Sequence, residues 1–425
     1  MLASRRRRRT APASGRGAVP DSDARGLQAT RAVAFAGVSL PSPPRLRWPG
    51  GAHGRSPMPI AELWRREWFL AVTAGVCAVF LLAGSHILAA LGGAIGMASL
   101  FAALFAVVLV SSLAVVRHAE RLAERLGEPY GTLVLTLSVA VIEVVSMSGV
   151  ILHGDNNPTL VRDSLLSLVM IILNGMVGVS LLTGAWRHRE QHYNLQGATT
   201  YLSLILPLVV LSLVMPSFTR TTTGPTLSLW QSVFLAVASL GFYAAFLALQ
   251  AGRHRGYFKD DAEAPALPPP RREPVRSARY HALLLMAYLA PVMVLAAQLA
   301  TPVDYFTETM RLPPALGGIL LACLVAAPES LGAVRAACAN HLQRAVNISL
   351  GSVLSTIGLT IPAMLIVGHL AGRTLVLGVE GANRVMLLLT LATSIVTFSN
   401  GRTNVLQGAV HLLLFVVYLL LMVQG

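Results

Sequence analysis

The chain has 425 residues, of which 54% are hydrophobic and only 12% charged, and its mean hydropathy is +0.64. This composition excludes an ordinary soluble domain and indicates an all-α integral membrane protein, because many windows reach the roughly 20 apolar residues of a spanning helix. The formal net charge of +14 is concentrated in residues 1–57, which hold eleven arginines against two aspartates. We therefore favour a cytoplasmic basic flank over nucleic-acid binding.

Residues 1–62 are predicted to be a disordered basic tail, because they are rich in Pro, Gly, Ser and Arg and too polar to build a core. A transit peptide is an alternative interpretation, since the tail is also poor in acids. Met58 is an alternative start, in which case the tail is not translated. N-terminal sequencing of the expressed protein tests this hypothesis.

About eleven transmembrane helices are predicted, divided as one extra helix and two repeats of five. Residues 63–250 hold the first helix and the first repeat, residues 251–279 form a cytoplasmic hydrophilic linker rich in Pro and charge, and residues 280–425 form the second repeat. The predicted spans are 67–86, 92–116, 128–152, 161–184, 198–216, 228–250, 280–300, 313–338, 345–370, 382–399 and 403–423.

Arginine placement predicts the orientation, because loops rich in Lys and Arg stay in the cytoplasm. The N-terminus is therefore expected in the cytoplasm and the C-terminus outside the bacterial inner (plasma) membrane. An odd number of helices per repeat makes the two repeats inverted, which is an architecture of secondary transporters. The arginines on the cytoplasmic side are those of the tail and linker with Arg117, Arg121, Arg125, Arg187, Arg189, Arg335, Arg344 and Arg402; the exceptions are Arg220, Arg311, Arg373 and Arg384.

Two apolar runs carry an acid near the middle, Glu143 in one and Glu329 in the other. An intramembrane carboxylate costs about 2.5–3.5 kcal/mol on insertion scales and indicates a functional site. An offset of 186 residues superposes the two acids, and an offset of 185 superposes Ser164 to Ser167 on Ser349 to Ser352. Inverted symmetry should bring the acids face to face, where they would bind a cation and protons.

Oxygen-rich side chains on the helix after each acid could complete a Ca²⁺ shell, which takes roughly 6–8 oxygen ligands. A pure packing role is equally consistent with the serines, since small residues allow close helix approach. These possible secondary ligands are Ser164, Ser167, Asn174, Ser352 and Ser355.

Other acids are less favoured as transport residues. Asp163 precedes an apolar run, where a helix cap is the leading interpretation and a cation-entry role the second. Glu120, Glu124 and Glu128 stand beside arginines in the connection after the second span and are expected to be solvated. Asp304 and Glu308 are expected in loops.

Several stretches resemble the bacterial calcium/proton antiporters of the ChaA type, within the calcium/cation antiporter superfamily. The resemblance covers roughly Trp64 to the C-terminus. It is carried by RLGEPYGTLVLTLSVAVIEV, PTLVRDSLLSLVMIILNGMVG, APESLGAVRAACANHLQRAVNISLGSVLSTIGLTIP and GRTNVLQGAVHLLLFVVYLL.

The resemblance implies ten core helices in two inverted repeats, exchange of cytoplasmic cations for external protons, and repeat acids at Glu143 and Glu329. The wider superfamily often has Gly-Asn four and three residues before each acid. This sequence has Val139-Ala140 and Val325-Ala326 there, so two side-chain oxygens are missing from the shell.

These observations predict a secondary active transporter that exchanges cytoplasmic cations for protons by alternating access. Ca²⁺ is the expected cation, with Na⁺ or K⁺ also carried, and a Na⁺(K⁺)/H⁺ antiporter with little Ca²⁺ activity is the alternative. An intramembrane enzyme is a weak hypothesis, since the sequence has no HExxH motif. A passive channel is also a weak hypothesis, since the sequence has no filter-like loop. No cofactor is expected; the predicted partners are inorganic cations, protons and the lipid bilayer.

Overall fold

The computed structural model describes residues 60–126, 130–153, 158–259, 277–313 and 315–424. The predicted basic tail up to residue 59, with Met58, lies outside the described residues. So do Glu128 and most of the predicted linker, residues 260–276.

Helices make up nearly all of the described chain. The α-helices are α1 (Ile60–Ala90), α2 (Ala94–Leu126), α3 (Tyr130–His153), α4 (Leu160–Met170), α5 (Val177–His188), α6 (Leu195–Val209), α7 (Leu229–Ala251), α8 (Ala278–Gln298), α9 (Ala300–Asp304), α10 (Ala315–Cys338), α11 (Leu342–Ser355), α12 (Ile361–Leu370), α13 (Gly381–Thr397) and α14 (Val405–Gln424). Short π-helical turns cover Ile171–Met176, Val210–Val214, Tyr305–Thr309 and Thr356–Thr360, and 3₁₀ turns cover Met215–Ser217 and Arg255–Phe258.

A helix lies at each of the eleven predicted spans, and the predicted all-α membrane class is confirmed. Within the described residues, nine helices are long and apolar enough to cross a membrane, and Leu133–Gly149 and Gly381–Thr397 are shorter apolar helices. The chain is therefore a multi-pass membrane protein. Its division into two inverted repeats stays a prediction.

Local signals place several helix ends. The Asn194 side chain accepts hydrogen bonds from the backbone N–H groups of Gln196 and Gly197 and caps α6. Ser228 and Gln231 form a capping box at the start of α7. Such caps satisfy N–H groups that lack a partner within the helix and contribute about 1 kcal/mol each.

Three helix bounds differ from the prediction. Helix α1 begins at Ile60, inside the predicted tail. Helix α2 continues to Leu126, because the stretch after residue 116 keeps strong helix formers and buries Ala119 and Leu122 on one side. Helix α8 is followed directly by α9 and a π-helical turn, so Asp304 and Glu308 are helical and the loop assignment was wrong.

The centre of the helical bundle is the long helix formed by α4, a π-helical turn and α5. In its apolar window 89% of residues are buried, compared with 11% in the window from Arg66 to Ala90, which belongs to α1. The acid-bearing helices α3 and α10 both pack against α4, and α10 also packs against α11. This arrangement brings the two acids towards the bundle centre.

A π-helical turn occurs at corresponding places in the two predicted repeats. The π-helical turns after α4 and after α11 begin at Ile171 and Thr356, which are separated by the 185-residue offset found in the sequence.

A short two-stranded sheet joins two connections that are distant in sequence. Strand β1 (Gln191–His192) pairs antiparallel with strand β2 (Arg402–Thr403). The connection before the last helix is therefore partly a strand.

Candidate functional site

The Glu143 carboxyl group is buried in the middle of α3, with 1% of the residue exposed. Thr356 Oγ1 donates a hydrogen bond of 3.2 Å to Glu143 Oε2. Within the described part of the chain, Glu143 Oε1 has no hydrogen-bond partner of normal geometry, although the Thr360 hydroxyl lies beside the carboxyl group. A buried carboxylate oxygen without a donor is costly, so this group requires a proton or a cation.

The Glu329 carboxyl group occupies the corresponding place on α10, where Ser352 Oγ of α11 donates a hydrogen bond to its Oε2 atom. Pro328 directly precedes Glu329 inside the helix. Proline has no N–H, so it cannot donate the helical hydrogen bond to the Leu324 carbonyl oxygen. The Leu324 carbonyl oxygen therefore lacks its usual helical donor.

The two carboxyl groups are close enough to interact electrostatically. Two ionised carboxylates this deep among apolar helices repel each other and are poorly solvated. A bound cation or protons relieve this repulsion. The pair is thus suited to a site that holds one or the other.

A cavity of ≈ 220 Å³ connects Glu329 with the surface. Its deep part is lined by Glu329, Ser352 and Ser355. Its outer part is lined by Glu120 and Arg344, whose side chains are 45% and 66% exposed. The cavity opens where α2 ends and α11 begins, on the side of the arginine-rich connections.

Glu143 lies deeper than the cavity wall. Val139, which lines the cavity, stands one turn of α3 before this acid. Val325 holds the equivalent place before Glu329 and lines a narrow void beside that acid. The next residues, Ala140 and Ala326, stand where the wider superfamily often has asparagine, and the carboxyl groups accept hydrogen bonds from hydroxyl groups instead.

The predicted secondary ligands separate into two groups. Ser352 contacts Glu329, and Ser355 lines the same cavity while its hydroxyl donates to the Ser352 carbonyl. Ser167 instead bonds to the Asp163 carbonyl and the Tyr418 hydroxyl, and so its hydroxyl is already engaged.

The remaining two predicted ligands lie on the first-half helix. Asn174 donates to Thr390 and its amide oxygen contacts His411, which places its polar atoms in a network with α13 and α14. Ser164 is fully buried, and among the described residues its hydroxyl has no hydrogen-bond partner. The hydroxyl groups that donate to Glu143 and Glu329, those of Thr356 and Ser352, thus belong to second-half residues.

Asp163 is not the cap of α4. The N-cap residue is Thr159, and Asp163 lies in the first turn with 3% of the residue exposed. Its carboxylate accepts hydrogen bonds from Arg162 Nε at 2.8 Å and from Thr159 Oγ1 at 3.0 Å. The cap interpretation was wrong in this detail, since the ion pair with Arg162 holds the acid in place.

Two sets of residues at the site were not predicted from the sequence. Thr356 and Thr360 provide the hydroxyl groups at Glu143; their i, i+4 spacing in LSTIGLT was the available signal. Glu120 was expected to be solvated, but it is half-buried, lines the cavity and pairs with Arg344. Its place on the buried side of an extended α2 explains the difference.

Membrane-spanning helices that carry two carboxyl groups, Glu143 buried and Glu329 reached by a cavity, define an integral membrane protein of the cation-transporter class. The comparisons with known proteins agree. The family described as "Sodium/calcium exchanger protein" matches residues 96–252 and 280–424. The chain belongs to this family.

Similar proteins include y4hA of Sinorhizobium fredii, 40% identical over 294 residues that cover 69% of this chain and 80% of the relative. The sodium-potassium/proton antiporter ChaA of Escherichia coli is 38% identical over 296 residues, again covering 69% and 80%. Among solved structures, the Ca²⁺/H⁺ antiporter protein YfkE superposes with a TM-score of 0.65 at 19% identity, covering 84% of this chain and 100% of that chain. The last likeness concerns the fold alone.

Proposed function

We propose that this protein is a cation/proton antiporter in which Glu143 and Glu329 bind the transported ions. The observation that carries the proposal is the pair of intramembrane carboxyl groups, of which Glu143 is buried and the half-buried Glu329 lines a cavity open to the surface. Membership of the sodium/calcium exchanger family supports it. In this proposal the carboxyl and hydroxyl groups of the site act as ion ligands, and the protein is not an enzyme.

Exchange follows from competition for the same carboxylate oxygens. A cation that binds at the acids offsets their negative charge and displaces protons, whereas protons that bind first remove the negative charge that attracts the cation. The site is therefore occupied by cation or by protons and not by both. Transport in opposite directions results when the site faces the two sides of the membrane in turn.

The cavity opens on the arginine-rich side of the protein, and we assign this side to the cytoplasm. The cavity mouth carries Arg344, and the nearby end of α2 carries Arg117, Arg121 and Arg125. Positively charged loops favour the cytoplasmic side of the bacterial inner membrane. In this orientation the cavity admits cytoplasmic cations to Glu329, and the C-terminus lies outside.

The transported cation is either Ca²⁺ or a monovalent ion. Two carboxylates, hydroxyls and a free carbonyl are hard oxygen ligands, which suits Ca²⁺. Alanine at positions 140 and 326, where the wider superfamily often has asparagine, removes two side-chain oxygen atoms, and one relative, 38% identical, is the sodium-potassium/proton antiporter of E. coli. These last two observations favour Na⁺ or K⁺ with little Ca²⁺ activity.

Transport by purified protein in sealed vesicles tests the proposal. An imposed pH gradient, followed with a pH-sensitive dye, should dissipate when Na⁺, K⁺ or Ca²⁺ is added. Comparison of the half-saturating concentrations ranks the cations. A gradient that persists with every cation, in vesicles shown to hold folded and oriented protein, would refute antiport.

A further inference from the structure

The mouth of the cavity is closed on one side by an ion pair between the two halves of the chain. Arg344 Nη2 at the start of α11 lies 3.8 Å from Glu120 Oε1 near the end of α2. Both side chains also line the cavity that ends at Glu329. The pair therefore lies beside a path that leads from this surface to Glu329.

The pair is built to separate. The two groups are at the far limit of an ion pair, and each side chain keeps about half or more of its surface in solvent. Such exposed pairs contribute little to stability because water screens them and two flexible side chains must be held in place. Glu120 can therefore exchange Arg344 for another cation at small cost.

The charges at the mouth have opposite consequences for an incoming cation. Arg344 repels it, and Glu120 attracts it and neutralises Arg344. The Glu120–Arg344 pair therefore has no net charge, and it lies at the mouth of the cavity that reaches Glu329. A mouth with Arg344 alone would oppose every cation that approaches Glu329.

We propose that Glu120 is the entry acid of the transport pathway, where an inorganic cation displaces Arg344 before it moves on to Glu329. Arg344 is the resident counter-ion, which occupies Glu120 when no cation is present. This inference rests on the proposed antiport function and adds a peripheral site to it. The pair sets the concentration at which cations enter and leaves the maximal exchange rate to the deep acids.

The test is a series of charge-neutralising variants in the sealed-vesicle transport assay. Glu120→Gln should raise the half-saturating cation concentration about two- to tenfold with little change in maximal rate, since an uncompensated Arg344 remains. Arg344→Gln should lower that concentration, and the double variant should return towards the wild-type value. Higher ionic strength should shrink all three effects.

A matched control lies one turn further along α2. Glu124 forms an exposed ion pair with Arg121 at 3.3 Å, outside the lining of the cavity. Glu124→Gln removes the same charge from the same helix and should leave the half-saturating concentration unchanged. Equal effects of Glu120→Gln and Glu124→Gln would overturn the proposal. So would weaker cation binding in both Glu120→Gln and Arg344→Gln, which is the pattern of a structural ion pair.

Thiol labelling separates this inference from the antiport function. Gly332 lines the cavity beyond the mouth, and a Cβ there would meet Ile348 only at an ordinary 3.6 Å. Gly332→Cys is introduced into a chain whose three native cysteines are replaced by alanine. Its rates with cationic and anionic methanethiosulfonate reagents are then compared.

Glu120→Gln should lower the cationic-to-anionic rate ratio severalfold, and Arg344→Gln should raise it. A shifted ratio in protein without exchange activity would retain the entry site and refute antiport. Normal exchange with an unshifted ratio and unchanged half-saturation would refute the entry site alone.

Discussion

Replacing Thr356 by valine removes the hydroxyl that donates to Glu143 and keeps nearly the same side-chain shape. The donor–acceptor distance is 3.2 Å, and both groups are buried. Hydrogen bonds to charged groups contribute about 1.5–3 kcal/mol. This bond is longer than the usual O–H···O distance of about 2.7–2.8 Å, so we take the lower end of the range.

A loss of about 1.5 kcal/mol corresponds to about a tenfold change in an equilibrium constant. The hydroxyl stabilises the ionised carboxylate, which is the form that binds a cation. Thr356→Val should therefore raise the half-saturating cation concentration about tenfold at constant pH. The assay is dissipation of a pH gradient by purified protein in vesicles, with the cation concentration varied.

Two control variants isolate the hydroxyl. Thr356→Ser keeps the donor and should stay close to wild type. Ser146 is buried on the same helix as Glu143, but its hydroxyl donates to the Ile142 carbonyl, so Ser146→Ala should not alter cation affinity. Unchanged half-saturation in folded Thr356→Val protein would show that the hydroxyl does not act on the ion site.

Three further predictions concern the acids and the helix packing around them. Glu143→Gln and Glu329→Gln should each abolish exchange while folded protein stays in the membrane; retained exchange would make that acid structural. Ser352→Ala removes the donor to Glu329 and should weaken cation binding about tenfold in the vesicle assay, an expectation that fails if affinity is unaltered. Gly318→Ala should lower the melting temperature in detergent, because its Cβ would lie 2.7 Å from the Asp163 backbone and overpacking costs about 1–3 kcal/mol, whereas Gly332→Ala should not. Equal melting temperatures would contradict this account of the α4–α10 contact.

The fold class was predictable because lipid imposes one strong rule on the sequence. Backbone polar groups in the bilayer core must be satisfied within the segment, and so apolar runs of sufficient length become helices. The acids Glu143 and Glu329 were visible for the same reason, since a carboxyl group in such a run stands out. Helix ends were less predictable: the charged end of α2 forms a helix as readily as it would form a solvated connection.

The surroundings of the acids could not be predicted with the same success. Hydroxyl residues are common in apolar helices, and their spacing does not show which of them face a carboxyl group. Ser167 was a predicted ligand and Thr356 was not, but the Ser167 hydroxyl contacts Tyr418 and the Thr356 hydroxyl contacts Glu143. The ion pair of Glu120 and Arg344 joins helices distant in sequence, which only the tertiary structure brings together.

The π-helical turns at Ile171–Met176 and Thr356–Thr360 have a mechanical consequence. Each interrupts the regular i to i+4 bonding of a long helix with a wider turn that packs less tightly. The second begins at the residue that contacts Glu143. We expect each long helix to bend more easily at its π-helical turn, at the depth of the carboxyl groups, than along its α-helical segments. A change of ion at these groups can then alter the tilt of a half-helix without unfolding it.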